Sequence, residues 1–481
     1  MTSQDLSTIL PLVVLTVWAC ALLIVDLFIP KQHKGWTALL AAVGLALTMG
    51  VSLAIGAGAA TGFHDMVVRD GFSLFLNVLF LLTGLLGVAT AYTYIRRMGI
   101  ERGEYYVLML FSIVGMMLMS QAVDLIVVFL ALELLSIPLY VMAAFAYPKT
   151  DSEEAGIKYF LLGAFSTGFV VYGIALTFGA TGVTSLAGIV AALSAGSANT
   201  MLLTIGAALI LIGFGFKTAI VPFHMWTPDV YQGAPSSVTA FMAAGAKAAG
   251  FAALLRVFAT AFPSLAGDLT GVLAVLAALT MILGNVAAIA QTDIKRMLAY
   301  ASIAQAGYIL MAFVPFANAD VRAVSVASGL FYLVAYTLAS FGAWGVVIAL
   351  EKLDGSGLKI ADYAGLGRKY PLLAACMAVF MLSFIGLPPT LGLVGKFYLF
   401  RAAIQGGFYL LAVIGVLTSL ISAFYYLRVV VTMYMQDGEP QVARDGWLEF
   451  TIGAMALAIV LLSFAPQYLF DWASQAVLKL F

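Results

Sequence analysis

Residues 216–235 read FKTAIVPFHMWTPDVYQGAP, and their reading decides the fold. The stretch ends an apolar, small-residue run (GFGFKTAIV) in which Lys217 is the only charge. Pro222 follows, then Pro228 and Pro235. Proline has no backbone donor and disrupts a helix about one turn before itself. The chain is therefore a helix that breaks beside a buried charge, which frees carbonyls near Lys217. Unwound backbone at membrane depth is tolerated where protein buries it or water reaches it. Residues 384–400, FIGLPPTLGLVGKFYLF, repeat the device, with Pro388-Pro389 followed by Lys396. Two interrupted helices, each with a lysine near the break, form a pattern of ion-transporter repeats. The plainer reading, prolines that merely kink membrane helices, explains one break better than two. His224 lies in the first break. It titrates near neutral pH, so it is either a proton relay between Lys217 and Lys247 or a loop histidine without a turnover role.

The rest of the chain has the composition of a membrane protein. It has 481 residues, 63% apolar and 10% charged, against about 45–50% and 25% in soluble domains. Lys+Arg 23 and Asp+Glu 23 cancel, so no global charge attracts nucleic acid. Cys20 and Cys376 lie far apart, and the only histidines are His33, His64 and His224. That inventory argues against a protein-ligated haem, copper or iron–sulfur centre. There is no P-loop and no Rossmann glycine pattern opening a soluble domain.

The apolar runs are continuous rather than alternating, which excludes a membrane β-barrel and predicts an all-α polytopic protein. At about 20 residues per crossing, fourteen spans are expected. They run over 7–29, 36–58, 71–96, 105–120, 121–146, 157–180, 200–222, 236–262, 268–291, 297–317, 323–350, 371–405, 408–436 and 447–470. The first carries Asp5 and no basic residue ahead of it, so it reads as an uncleaved anchor. With the N-terminus outside, the inside loops hold 14 basic residues and the outside segments 3: Arg69, Arg322 and Lys479. That asymmetry follows the positive-inside rule and puts both termini outside, in the periplasm of a bacterium.

Six basic residues remain within spans: Lys217, Lys247, Arg256, Lys396, Arg401 and Arg428. The arginines are near enough to span ends to snorkel, or they have partners inside. The lysines sit deeper. A lysine at mid-membrane costs at least about 2.5–3.5 kcal/mol and is expected to face a bundle interior or a wet cavity with a partner. Glu133, in FLALELLSIPLY, is the one acid well inside a span, with Asp26 and Asp124 near span ends. A Glu133–Lys217 contact, made and broken, would gate proton uptake and release; the alternative is a static salt bridge between two helices.

A shift of 172 residues lays Tyr159-Phe160-Leu161 on Phe331-Tyr332-Leu333 and Leu255-Arg256-Val257 on Leu427-Arg428-Val429. Glu133 then falls on Gln305 and Lys247 on Ser419. The division expected is a three-helix segment (1–104), a five-helix unit (105–262), a second five-helix unit (268–436) and a last helix (437–481). Five is odd, so the second unit must be inverted, as in transporters.

At FHMWTPDVYQGAPSSVTAFMAAGAKAAGF, NVAAIAQTDIKRMLAYASIAQAGYIL and SFIGLPPTLGLVGKFYLF the chain resembles the antiporter-like subunits of respiratory complex I. Among them it is most similar to subunit N (subunit 2) of bacterial NADH–quinone oxidoreductases, over essentially its whole length. The resemblance implies fourteen helices, two inverted five-helix units and discontinuous seventh and twelfth helices. It implies that Lys217 pairs with Glu133, that Lys247 is central, and that Lys396 leads to an exit. Proton movement along these residues would be driven by redox chemistry elsewhere. NADH, FMN, iron–sulfur clusters and quinone are expected in partner subunits and no cofactor in this chain. The implied partners are other membrane subunits, including antiporter-like subunit M and small subunit K, together with lipids of the bacterial inner membrane. Two rival functions stand beside this one. The first is a subunit of a multi-subunit sodium/proton antiporter, disfavoured because an ammonium cannot coordinate a cation. The second is a passive scaffold, disfavoured by three intramembrane lysines.

Overall fold

The computed structural model describes residues 2–262 and 265–476; Lys479, counted above among the outside charges, lies outside them. Thirteen helices among the described residues are long and apolar enough to cross a membrane. The twelfth expected span is instead two short helices, Pro371–Ile385 and Leu391–Gln405, of which the first is apolar but too short to count among the thirteen.

In chain order the helices are α1 (Ser3–Phe28), α2 (Gly35–Ile55), α3 (Gly71–Ala91), α4 (Glu104–Gln121), α5 (Leu125–Ala143) and α6 (Thr150–Thr181). The broken seventh span is α7 (Thr200–Thr218) followed by α8 (Trp226–Gly233). Then come α9 (Ser236–Ala261), α10 (Ala266–Ile289), α11 (Ile294–Phe313) and α12 (Ala319–Leu350). The broken twelfth span is α13 (Pro371–Ile385) and α14 (Leu391–Gln405). The last helices are α15 (Tyr409–Met435), α16 (Gly446–Phe464) and α17 (Pro466–Gln475). A small hairpin, β1 (Ala60–Gly62) with β2 (Val67–Arg69), joins α2 to α3. The sixth span begins seven residues earlier than hydropathy alone predicts, because Asp151 and Glu153 occupy a polar first turn. Acids there face the positive end of the helix dipole.

α9 and α11 are almost wholly buried, whereas α1, α6 and α16 leave wide apolar faces exposed. The lysines at 217, 247 and 396 all point inward, each under 5% exposed. Glycine permits the closest approaches. A Cβ at Gly115 of α4 would lie 2.3 Å from the Leu135 backbone nitrogen of α5, and one at Gly392 of α14 would lie 1.9 Å from the Ser383 carbonyl of α13.

The two halves of the chain share backbone devices. Asp124 caps α5 and Asp293 caps α11 through side-chain oxygens. Beside the first cap, Leu125 N–H donates to the Thr184 carbonyl and Leu186 N–H to the Val123 carbonyl. Beside the second, Ile294 N–H donates to the Leu358 carbonyl and Ile360 N–H to the Thr292 carbonyl. The aligned arginines act alike as well. Arg256 donates to the Ser120 carbonyl at the end of α4; Arg428 donates to the Ile289 and Gln291 carbonyls at the end of α10.

Snorkelling fails for one of the three arginines. Arg256 is 1% exposed and forms a bidentate pair with Asp70 at 2.5 and 2.9 Å, stacked over Phe72. Asp70 is the N-cap of α3, so the pair ties α9 to α3. A planar guanidinium grips the carboxylate with two parallel bonds while it also reaches a carbonyl, a fork geometry that a lysine lacks. Arg401 is exposed, as snorkelling requires.

Candidate functional site

Glu133 and Ser136 lie one turn apart on α5, and the spacing of three residues puts them on one face. Lys217 occupies the last turn of α7. Its ammonium donates to the Ser136 hydroxyl at 2.8 Å and to the Tyr159 hydroxyl of α6 at 3.1 Å. Glu133 instead accepts from the Thr167 hydroxyl at 2.7 Å. The ion pair expected between Glu133 and Lys217 is absent from the ion pairs among the described residues. The physical reason is that the serine, one turn further on, receives the ammonium, while the carboxylate turns outward. Glu133 lines an open groove of about 580 Å3 between α5 and α6, with Phe129, Thr167 and Tyr172.

The carbonyls freed by the first break also go elsewhere than expected. Ala219 sits at φ 62°, in the left-handed region. Ile220 N–H then donates back to the Gly215 carbonyl at 2.8 Å, and the Trp226 indole donates to the Phe216 carbonyl at 2.9 Å. Trp226 stacks on Tyr159 with ring centroids 4.6 Å apart. The break therefore supports Lys217 from behind, by fixing the tyrosine whose hydroxyl accepts from the ammonium.

His224 has a buried Nδ1 without a hydrogen-bond partner. It contributes to none of the hydrogen bonds of Lys217 or Lys247. Nothing in the geometry joins it to the lysines as a direct relay.

Lys247 begins the regular part of α9 just after a π-helical turn, Met242–Ala246. Such turns often mark functional positions. Its ammonium donates to the Ser302 carbonyl at 2.6 Å and to the Ser302 hydroxyl, and it lies 5.8 Å from the Tyr336 ring centre. A cavity of about 10 Å3 beside it is lined by Ser302, Gln305, Tyr336, Ser340 and Tyr426, close to the minimum for one water.

Lys396 lies in the second turn of α14, shortly after the second break. It donates to the Ile385 carbonyl freed by that break at 3.0 Å and to the Ser419 hydroxyl at 2.7 Å. It sits 4.3 Å over the Tyr308 ring centre. Lys217 and Lys396 thus occupy opposite sides of their breaks and use them differently.

Between Lys247 and Lys396 runs a tyrosine-rich network that charge counting missed. Gln305 donates to the Phe384 carbonyl and the Tyr426 hydroxyl and accepts from Tyr332. Tyr308 donates to Thr418 at 3.1 Å and accepts from Asn285 at 3.3 Å, and Tyr425 donates to Asn285 at 2.9 Å. One signal was available: Ser302, Gln305 and Tyr308 recur at spacings of three, which makes a stripe down α11.

Chemically, the three lysines donate only to hydroxyls and carbonyls. None makes an ion pair among the described residues. An ammonium held this way has no fixed countercharge, so its protonation responds to neighbouring charge. The arrangement suits stepwise proton movement. No group of three or more His, Cys, Asp or Glu that could hold a metal occurs among the described residues.

The sequence family described as NADH:quinone oxidoreductase/Mrp antiporter, TM matches residues 122–422. An NADH-quinone oxidoreductase subunit N from Trichlorobacter lovleyi is 47% identical, over 98% of this chain and 97% of that one. Among solved structures, a chain of respiratory complex I from Thermus thermophilus is 35% identical with a TM-score of 0.82, covering 96% of this chain and 99% of that one. A chain of the Mrp complex from a Dietzia species matches with a TM-score of 0.85 at 19% identity, over 99% and 97% of the two chains, a likeness of fold alone.

Proposed function

Since this chain belongs to the NADH-quinone oxidoreductase subunit N family, we propose that it moves protons across the membrane arm of that complex through Glu133, Lys217, Lys247 and Lys396. The observation that carries the reading is the set of three buried lysines held by neutral acceptors alone. A scaffold would keep such charges only as static pairs. Sodium would need carboxylate or carbonyl oxygens free of an ammonium.

In this reading a proton reaches Lys217 beside Ser136, and its charge biases Lys247. Release from Lys247 passes along Ser302 and the Gln305–Tyr308 stripe to Lys396. Ser136, Tyr159 and Ser302 position the ammonium groups, and Glu133 modulates Lys217 by its charge across one helical turn. His224 stands in the proposal only through water, since it bonds neither lysine. Redox energy comes from outside the chain: NADH, FMN, iron–sulfur clusters and quinone belong to partner subunits. The proposed neighbours are antiporter-like subunit M and small subunit K. The basic loops face the cytoplasm and both termini the periplasm of the bacterial inner membrane. The two five-helix units, 105–262 and 268–436, are proposed as the inverted repeats.

The test is Lys217→Ala in the assembled complex, read as NADH-driven proton uptake and quinone reduction. Loss of most of both supports the proposal. Full activity in an assembled mutant overturns the role of Lys217.

A further inference from the structure

We propose that Glu351 is the group that loads protons into this subunit from the side bearing the basic loops, with Lys295 as its countercharge. The inference rests on the proton-translocation reading above and extends it to an entry site.

Glu351 follows the last residue of α12 and is 4% exposed. Three other acids are comparably buried among the described residues, and each is engaged. Asp26 holds Lys34 and Thr37, Asp70 holds Arg256, and Asp124 caps α5 and accepts from Thr184. The Glu351 carboxylate accepts one side-chain bond, from the Tyr94 hydroxyl at 3.0 Å. A carboxylate has about four acceptor positions, so most of its capacity is unused by protein. Tyr94 in turn accepts from Ser236 N–H at 3.0 Å, at the start of α9, the helix that carries Lys247.

The polar atoms around this pair share the same deficit. Ser236 Oγ, Arg97 Nε and the Tyr363 hydroxyl are buried without hydrogen-bond partners. Arg97 also donates to the Ile348 carbonyl and, at 3.3 Å, to the Glu351 backbone carbonyl. Tyr363 lies within electrostatic reach of Glu351, Asp293 and Asp362. Buried polar atoms with no protein partner are where ordered water binds.

Lys295 stands beside Ala234-Pro235, the two residues that join α8 to α9. It is 2% exposed and donates to the Ala234 carbonyl at 2.7 Å, two residues before Ser236. The charges in its reach are Glu351, Asp293, Asp151 and Lys149. It makes no direct ion pair with Glu351, unlike Arg256 with Asp70. A structural pair would close that gap. Lys295 also begins the polar face of α11: Ser302, two turns on, is the residue that holds Lys247.

The step is a proton transfer. Hydronium on the side of the basic loops gives its proton to a Glu351 oxygen, forming an O–H bond and leaving neutral water. That O–H bond then breaks inward through water at Ser236, and an N–H bond forms on the neutral Lys247 amine. Glu351 returns to carboxylate, and Lys295 keeps its charge throughout.

The experiment uses the intact complex in inverted vesicles, with Glu351→Gln, Glu351→Asp and Lys247→Ala measured side by side. Glu351→Gln keeps the size and the Tyr94 bond. We expect NADH-driven proton uptake to fall at least tenfold and the pH profile of turnover to lose one limb. Glu351→Asp should restore uptake in part, with that limb displaced along the pH axis. Wild-type uptake and pH profile in Glu351→Gln, while Lys247→Ala is inactive, would overturn the entry site and leave the translocation reading standing. Normal uptake in Lys247→Ala would overturn that reading itself. If Glu351→Gln does not assemble, an undisplaced limb in Glu351→Asp overturns the entry site.

Discussion

Lys217 donates its hydrogen bond to Ser136 at 2.8 Å, and that serine sits one turn beyond Glu133 on the same face of α5. The lysine and the glutamate therefore share one face of α5 without bonding each other: the serine takes the ammonium, and Thr167 takes the carboxylate. Ser136 itself is anchored to the Leu132 carbonyl at 2.6 Å, so its oxygen is held in place to accept.

Replacing Ser136 by alanine removes that acceptor and leaves Tyr159 as the remaining partner of the ammonium. Hydrogen bonds to charged groups contribute about 1.5–3 kcal/mol, and each 1.4 kcal/mol is about tenfold in rate. Ser136→Ala should cut proton uptake by about tenfold or more without loss of assembly, and Ser136→Thr should keep most of it. Equal uptake in the alanine variant and wild type would show that the hydroxyl does not position Lys217.

Lys396 depends on the close approach of α14 to α13. Its partner carbonyl, Ile385, is on α13, and Gly392 is the point where the two backbones meet. A methyl at Gly392 cannot fit 1.9 Å from the Ser383 carbonyl. Gly392→Ala should separate the helices, and little of the chain should be recovered in the complex on a native gel. Gly453→Ala is the matched control, because a Cβ there meets nothing within 4 Å; its complex should assemble at the normal level. Normal recovery of the Gly392 variant would contradict the packing.

Much of this was legible in the sequence. Continuous apolar runs and proline positions give the spans and both breaks, because membrane helices must satisfy their own backbones. The lysines stand out because charge is rare there. Ser136, Tyr159 and Ser302 were not legible, since hydroxyls are common in membrane helices and only packing distinguishes a ligand from a filler. The direction in which Glu133 points was equally hidden: a helix period says which residues share a face, not which neighbour that face meets. The choice left open for Arg256, snorkelling or an interior partner, was hidden for a related reason. Its partner Asp70 lies 186 positions away, so nothing local announced the pair.

That pair carries its own prediction. Removing one partner of a buried ion pair leaves an uncompensated charge and costs about 3–5 kcal/mol, whereas replacing both by apolar residues of similar volume is often near neutral. Asp70→Leu should sharply lower the thermal stability of the detergent-solubilised complex. Asp70→Leu combined with Arg256→Met should recover most of the loss. A double variant no better than the single one would mean that the Ser120 carbonyl bonds of Arg256 matter more than the carboxylate.

The loop end of the molecule offers a pH-dependent contact. Lys369, beside the start of α13, donates to Glu439 at 2.7 Å, and Arg368 pairs with Asp437. The hydrogen bond and charge of Lys369 hold the Glu439 carboxyl below its ordinary value of 4.5, and the same bond raises Lys369. A lowered carboxyl contributes stability above its unfolded value and loses it as pH falls through the folded value. The raised lysine loses its share only as pH rises through its own folded value, far on the alkaline side. Docking of residues 436–445 against 366–370 should therefore hold at neutral pH and loosen only below the ordinary glutamate range. Both groups are exposed, so salt should weaken the effect as well. A spin label at Gln436, beside the contact, should gain mobility on acidification in wild type and be mobile at all pH values in Lys369→Gln. Identical pH profiles in the two proteins would mean that the ion pair does not hold this loop.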